Sequence, residues 1–477
     1  MSIPVWLRTP RVRRGLAASA IVLSAGGLVL FRAPVSGHLP TVTEAAASPT
    51  GVNTASFSGP GGHGSVALSH SKVLAGSGER FFAEVKLVAD KGEQAPAHAP
   101  VSLVVVLDTS GSMSGEKIVR AKESVVRLLR EMDSEDEVAV VRYSDDADVI
   151  QGLARVGSVR ESVIARVQEL GAGGGTAIPR GLARGLGELG LAGSGRVRRV
   201  VLVSDGLDST RVEAERMASD SFEHGITISS MGIGLDFDES YMGGVARAGH
   251  GNFGFVKDAS ALATFLRREL TETSSTTIEN ATVRIALPRG VTLAQSSNSD
   301  ARMDGDDVEV KLGSLFAGDE RRVVLELASS LKDGDAKDLV ARARWDRVGG
   351  GSADVTAPKL TVVATRDPVE VDRGRDATVL ASATSVLAST RQMEAAEAYN
   401  AGDVEKAQRL IDKNIADLKA AAVNAPAPAA SALDSQWQSY GATKSGFLHA
   451  PPQSAAGKVA AKRAVERDSA NMQKSAF

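Results

Sequence analysis

Residues 101–115 read VSLVVVLDTSGSMSG. A valine-rich run stops abruptly at Asp108, and an apolar run of this length bounded by turn formers is the pattern of a strand buried on both faces of a parallel sheet. Such a strand needs helices above and below it, which fixes an α/β class. Behind it come three polar side chains at alternating positions, Asp108, Ser110 and Ser112. One carboxylate and two hydroxyls are hard oxygen ligands, suited to Mg²⁺, Ca²⁺ or Mn²⁺. The turn that carries them lies beyond the carboxyl end of a strand, where open α/β sheets place their ligands.

Two further segments share these features. Residues 170–179 read LGAGGGTAIP, with Thr176 directly after three glycines, and residues 197–206 read VRRVVLVSDG, a second apolar strand ending at Asp205. The set Asp-x-Ser-x-Ser, then Gly-Gly-Thr, then a strand ending in Ser-Asp-Gly resembles the von Willebrand factor A family over residues 101 to about 270. In that family these positions form the metal-ion-dependent adhesion site. The resemblance implies that Ser110, Ser112 and Thr176 bind a divalent ion through their hydroxyls, that Asp108 and Asp205 hold it directly or through water, and that one position stays open for an acidic group of a partner.

The residue chemistry points the same way without the family. Two carboxylates and neutral hydroxyls leave a divalent ion with a residual demand for oxygen, which an incoming Asp, Glu or water meets. The glycines before Thr176 allow close backbone approach and positive φ. Serine and aspartate also favour helix N-caps, but a cap accounts for one such residue, not for five from three strand ends.

A hydrolase is the competing reading. Residues 111–115 match G-x-S-x-G between a strand and a helix, the setting of a nucleophile elbow. Ser114 is then the nucleophile, with Asp205 and either His224 or His250 as partners. That reading leaves Asp108, Ser110 and Thr176 without a role. Phosphate-binding, zinc-protease and dinucleotide-binding signatures are missing from the sequence.

Composition narrows the function classes. A net charge of −3 and 4% aromatic residues give neither the basic footprint nor the stacking platform of a nucleic-acid binder. With no cysteine, disulfides, thiolate metal sites and a cysteine nucleophile are excluded. Arg8, Arg11, Arg13 and Arg14 precede an apolar stretch, residues 16–31, and no acid occurs before Glu44. A basic flank before an apolar segment is an export signal. Residues 1–36 are therefore expected to be a membrane anchor facing outward or, if cleaved, the signal of a periplasmic or extracellular protein. Protection of the chain from protease added to spheroplasts would refute export.

The rest divides by pattern. Residues 37–65 have the composition of a flexible tether. Residues 66–100 hold two strand-like runs, and residues 101–271 alternate strands and helices, which predicts a doubly wound, mostly parallel sheet. Residues 276–365 carry short strands separated by turn signals, the pattern of an antiparallel β-sandwich. The strands before the α/β domain are expected to complete that sandwich, making the α/β domain an insertion. Residues 376–422 resemble one helix-turn-helix unit of tetratricopeptide type, turning at Gly402-Asp403. Residues 423–477, rich in Ala, Pro, Ser and Gln, are expected to be largely disordered, with a short helix at residues 455–466; Trp437, Tyr440, Phe447 and Leu448 stand out there, either as docking residues for the folded part or another protein or as incidental residues of a tail. The functional expectation is a metal-dependent adhesion module for a protein presenting Asp or Glu, holding Mg²⁺ (or Mn²⁺ or Ca²⁺), with no small-molecule substrate. The alternative is a cell-envelope scaffold whose ion only stabilises the fold.

Overall fold

A computed structural model describes residues 53–473 except Ser77, residues 92–97, Ser194, and residues 206–208, 257–260 and 297–300. The expected anchor at residues 1–36 lies outside the described residues.

The first strands are β1 (Thr54–Gly59), β2 (Gly62–Leu68), β3 (Lys72–Leu74) and β4 (Glu79–Ala89). The tether expected through residue 65 is corrected here: its second half is a β-hairpin. Pro60-Gly61 turns the chain between paired Gly59 and Gly62, and Gly61 takes φ +83°, which a side chain resists. Ala55, Phe57 and Val66 are buried by the hairpin. A composition of Ser and Gly hid these few anchors.

The inserted domain follows: β5 (Val101–Asp108), α1 (Glu116–Glu131), β6 (Glu137–Tyr143), β7 (Ala147–Arg155), α2 (Val156–Glu169), α3 (Ile178–Leu189), β8 (Val197–Ser204), α4 (Arg211–Glu223), β9 (Ile226–Ile233), α5 (Glu239–Ala248), β10 (His250–Val256) and α6 (Leu262–Ser274). Its sheet runs β10-β9-β8-β5-β6-β7. All neighbours are parallel except β6 and β7. Every residue of β5 and β9 is buried, because helices cover both faces. This agrees with the α/β, doubly wound class read from the alternating pattern.

The chain then forms β11 (Thr276–Ala286), β12 (Val291–Ser296), β13 (Ala301–Asp304), β14 (Asp307–Phe316), β15 (Glu320–Ser329), β16 (Ala336–Arg347), β17 (Ser352–Thr356) and β18 (Leu360–Thr365). Two sheets share one apolar core: β1-β2-β4-β15-β12, and β13-β14-β11-β16-β18-β3 with β17 on β16. β4 pairs with β15 along nearly its full length, so strands from before and after the α/β domain build the sandwich together. Entry and exit are adjacent, since the Ala99 N–H donates to the Ser274 carbonyl at 2.7 Å.

Among the described residues, five helices follow: α7 (Pro368–Arg373), α8 (Ala377–Asn400), α9 (Val404–Asn424), α10 (Ala427–His449) and α11 (Ala455–Gln473). α8 and α9 are the hairpin, with Asp403 capping α9 by accepting from the Lys406 N–H at 2.9 Å. The disorder expected for residues 423–477 is corrected for the described part, up to residue 473: α10 and α11 pack against α9 and α8. Leu433, Tyr440 and Phe447, seven residues apart, are all buried in this bundle. Tyr399 stacks on Phe447 with ring centroids 3.8 Å apart. Alanine lets these helices approach closely, and Tyr440 and Phe447, which stand out in the sequence, dock onto the folded part. The bundle bridges both domains. Arg322 of β15 donates to Ser382 of α8 and to the Asn471 carbonyl of α11, while α11 also packs on α5 and β10. Among the described residues, no helix is long and apolar enough to cross a membrane.

Candidate functional site

The carboxyl ends of β5, β6 and β8 meet at one edge of the sheet. Asp108 ends β5 with its side chain buried. Its Oδ1 accepts from the Ser110 backbone N–H at 2.8 Å. Its Oδ2 accepts from the Ser204 hydroxyl at 2.6 Å and the Tyr143 hydroxyl at 3.3 Å. Burial pushes the Asp108 carboxyl above its ordinary pKa; the bonds from Ser204 and Ser110 oppose this, and the nearby Asp205 charge adds to it. A cation beside it would relieve that cost.

Beyond Asp108 the chain makes a 3-10 turn, Gly111–Met113, before α1. Ser110 and Ser112 hydroxyl oxygens lie 3.0 Å apart. The Ser112 hydroxyl donates to Asp205 Oδ1 at 2.7 Å. The other carboxylate oxygen of Asp205 pairs with the Lys117 ammonium, from the first turn of α1. Asp108, Ser110, Ser112 and Asp205 thus form one hydrogen-bonded cluster.

Thr176 arrives on the loop between α2 and α3, which backbone bonds lace to the β5 loop. The Gly173 N–H donates to the Thr109 carbonyl at 2.8 Å, and the Gly111 N–H to the Gly174 carbonyl at 2.9 Å. The Ala177 N–H bonds the Ser144 carbonyl at 2.8 Å, which fixes half-buried Thr176 from its other side. Gly174 has φ +83°, and a Cβ there would meet Asp145 Oδ2 at 2.5 Å. The loop therefore needs glycine for both backbone and space.

The five oxygen donors read from the sequence all lie at this edge. Sequence reasoning missed four neighbours: Lys117, Ser204, Tyr143 and Asp145. A lysine in the first turn of a helix, opposed by the helix dipole, was the available signal for Lys117. The hydrolase geometry fails. His250 begins β10 opposite Ile228, near the start of β9, and His224 lies just before β9. Both therefore sit at the amino edge, a strand length of roughly 25 Å from Ser114. The His224 ring bonds the Asp220 carbonyl at 2.7 Å, and His250 stacks on Phe222.

A parallel sheet with an Asp-Ser-Ser loop, a Gly-Thr loop and a second aspartate at its carboxyl edge defines a domain of the von Willebrand factor A class. Residues 102–268 match the family model of the von Willebrand factor type A domain, and this chain carries that domain. Domains of this family serve in protein–protein interaction and are generally not enzymes. An uncharacterised protein of Synechocystis sp. is 24% identical over 340 residues, 68% of this chain and 80% of its own length. A von Willebrand factor type A structure from Catenulispora acidiphila shares the fold with TM-score 0.67 at 19% identity, covering 86% of this chain and 96% of that one. The ArnB paralog VWA2 from Sulfolobus acidocaldarius does so with TM-score 0.57 at 15% identity, covering 87% of this chain and all of that one.

Proposed function

We propose that the carboxyl-edge cluster binds a divalent cation, Mg²⁺ in the first instance or Mn²⁺ or Ca²⁺, and through it an acidic side chain of a partner protein. The observation that carries this reading is the joining of Asp108, Ser110, Ser112 and Asp205 by hydrogen bonds, with the Thr176 loop laced against them. The donor set is all hard oxygen, as these ions require. It also already draws a cation, since the Lys117 ammonium sits on Asp205. Ser110, Ser112 and Thr176 would be the neutral ligands. Asp108, with both carboxylate oxygens already accepting protein hydrogens, would act through its remaining lone pairs or through water. An ion held there supplies an exchangeable position for a carboxylate.

The scaffold alternative predicts that removing the ion unfolds the domain. The bonding pattern opposes this: Asp108 is held by protein hydrogen bonds and Asp205 is paired with Lys117. EDTA should therefore leave the fold intact while abolishing partner capture. Titration calorimetry with Mg²⁺ tests the ligand assignment. Asp108→Ala should weaken binding by about 100-fold or more, and Thr176→Ala by about tenfold, by the scale for lost metal-site groups. Unchanged affinity in Asp108→Ala would remove the assignment. A partner whose capture survives both EDTA and Thr176→Ala would place the contact elsewhere on the molecule.

A further inference from the structure

Lys117 is the second residue of α1, and its ammonium is seated on Asp205, whose side chain is fully buried. A lysine in the first turn of a helix faces the positive end of the dipole, so its position needs a separate cause. The side chain passes Gly234: a Cβ added there would lie in ordinary contact, 3.4 Å from the Lys117 Cε. The lysine stem thus runs from α1 past the end of β9 to the mouth of the site.

We propose that Lys117 is a tethered competitor for the divalent ion, an internal cation that occupies Asp205 until the ion displaces it. This rests on the proposed ion-binding reading of the same cluster. Asp108 and Asp205 are both buried at one sheet edge, and two buried carboxylates without a counter-charge are costly. Lys117 supplies one positive charge and keeps the ion-free site folded. A divalent ion held by Asp205 and Ser112 would stand within a few ångström of the ammonium, and like charges at that range repel. Binding therefore requires the lysine to leave. Lys117 sets the ion concentration at which the site fills, and leaving frees its amine to solvent.

Two measurements on the full chain test this. Calorimetry with Mg²⁺ and Mn²⁺ compares wild type, Lys117→Met and Asp108→Ala. Lys117→Met should bind either ion at least about tenfold more tightly than wild type, the equivalent of losing one modest ion pair. In EDTA the same variant should melt at a lower temperature than wild type. The second measurement needs no variant. Amine-reactive labelling of Lys117, read by peptide mass spectrometry, should rise in Mg²⁺ relative to EDTA. If wild type binds the ion and Asp108→Ala does not, but Lys117→Met binds no tighter and Lys117 labelling is unchanged, the competitor is overturned and the ion site stands. If neither wild type nor Lys117→Met binds Mg²⁺ or Mn²⁺, both readings fall. Binding by Lys117→Met alone supports the competitor in its strongest form.

Discussion

Glu279 and Asp108 show how differently two shielded carboxyls can be used. Glu279, in β11 opposite Asp346 of β16, faces Arg198 from the α/β domain. Burial raises its pKa from 4.5 to about 7; Arg198 opposes the shift and Asp346 adds to it. The folded chain therefore holds a proton that the unfolded chain releases. Stability from this group is present below pH 4.5 and declines as pH rises towards 7, by at most about 3 kcal/mol and less to the extent that water reaches the half-buried carboxyl. Glu279→Gln should remove that decline. Urea unfolding at pH 5 and pH 8 checks it: the difference between wild type and variant should widen at pH 8, in favour of the variant. An equal difference at both pH values would show that Glu279 does not titrate in this window. The oxygen donors at the sheet edge were legible in sequence because spacing and residue type coincide with strand ends. Lys117 and Tyr143 were not, because their roles depend on where α1 and β6 bring them.

At the level of elements, the strongly patterned segments were legible and the weakly patterned ones were not. The buried runs of β5 and β8 and the amphipathic α1 declare themselves by periodicity. α5 escaped notice because Gly243 and Gly244 interrupt its pattern; in place, a Cβ on Gly243 would lie 3.2 Å from Val465 of α11, so that glycine makes room for the bundle. β7 is half-buried along most of its length and shows no clean alternation. The largest miss, α10, rests on three anchors. Phe447 is buried and stacked on Tyr399, whose hydroxyl donates to the Ala450 carbonyl at 2.6 Å. Phe447→Ala should cost about 3–5 kcal/mol of bundle stability, the range for a truncated core aromatic. Trp437→Ala should cost less, since Trp437 is only half-buried at the margin of the core, with its indole N–H donating to exposed Asp434. Chemical denaturation followed by far-ultraviolet circular dichroism checks both; equal losses would show that the seven-residue seam does not hold the bundle.

Across the whole molecule, three parts are locked by polar contacts that sequence patterns do not reveal. Lys462 of α11 is buried, donates to Glu239 at 2.6 Å and to the Phe237 carbonyl at 2.7 Å, and lies over the Phe237 ring. Lys458 pairs with Asp236 in the same loop after β9. On the opposite side, Lys311 of the sandwich pairs with Glu223 at the end of α4. The α/β domain is thus gripped by the bundle and by the sandwich, while the edge carrying Asp108 and Ser112 keeps Ser112 exposed. The candidate site therefore lies on an edge of a domain held from two sides. The most direct test is an anomalous difference map from crystals of the full chain soaked in Mn²⁺. The predicted result is a peak about 2.1 Å from the Ser110 and Ser112 hydroxyl oxygens, beside Thr176, with Lys117 moved off Asp205. A peak elsewhere, or none with Lys117 still paired to Asp205 at saturating Mn²⁺, would contradict the assignment of this edge as a cation site.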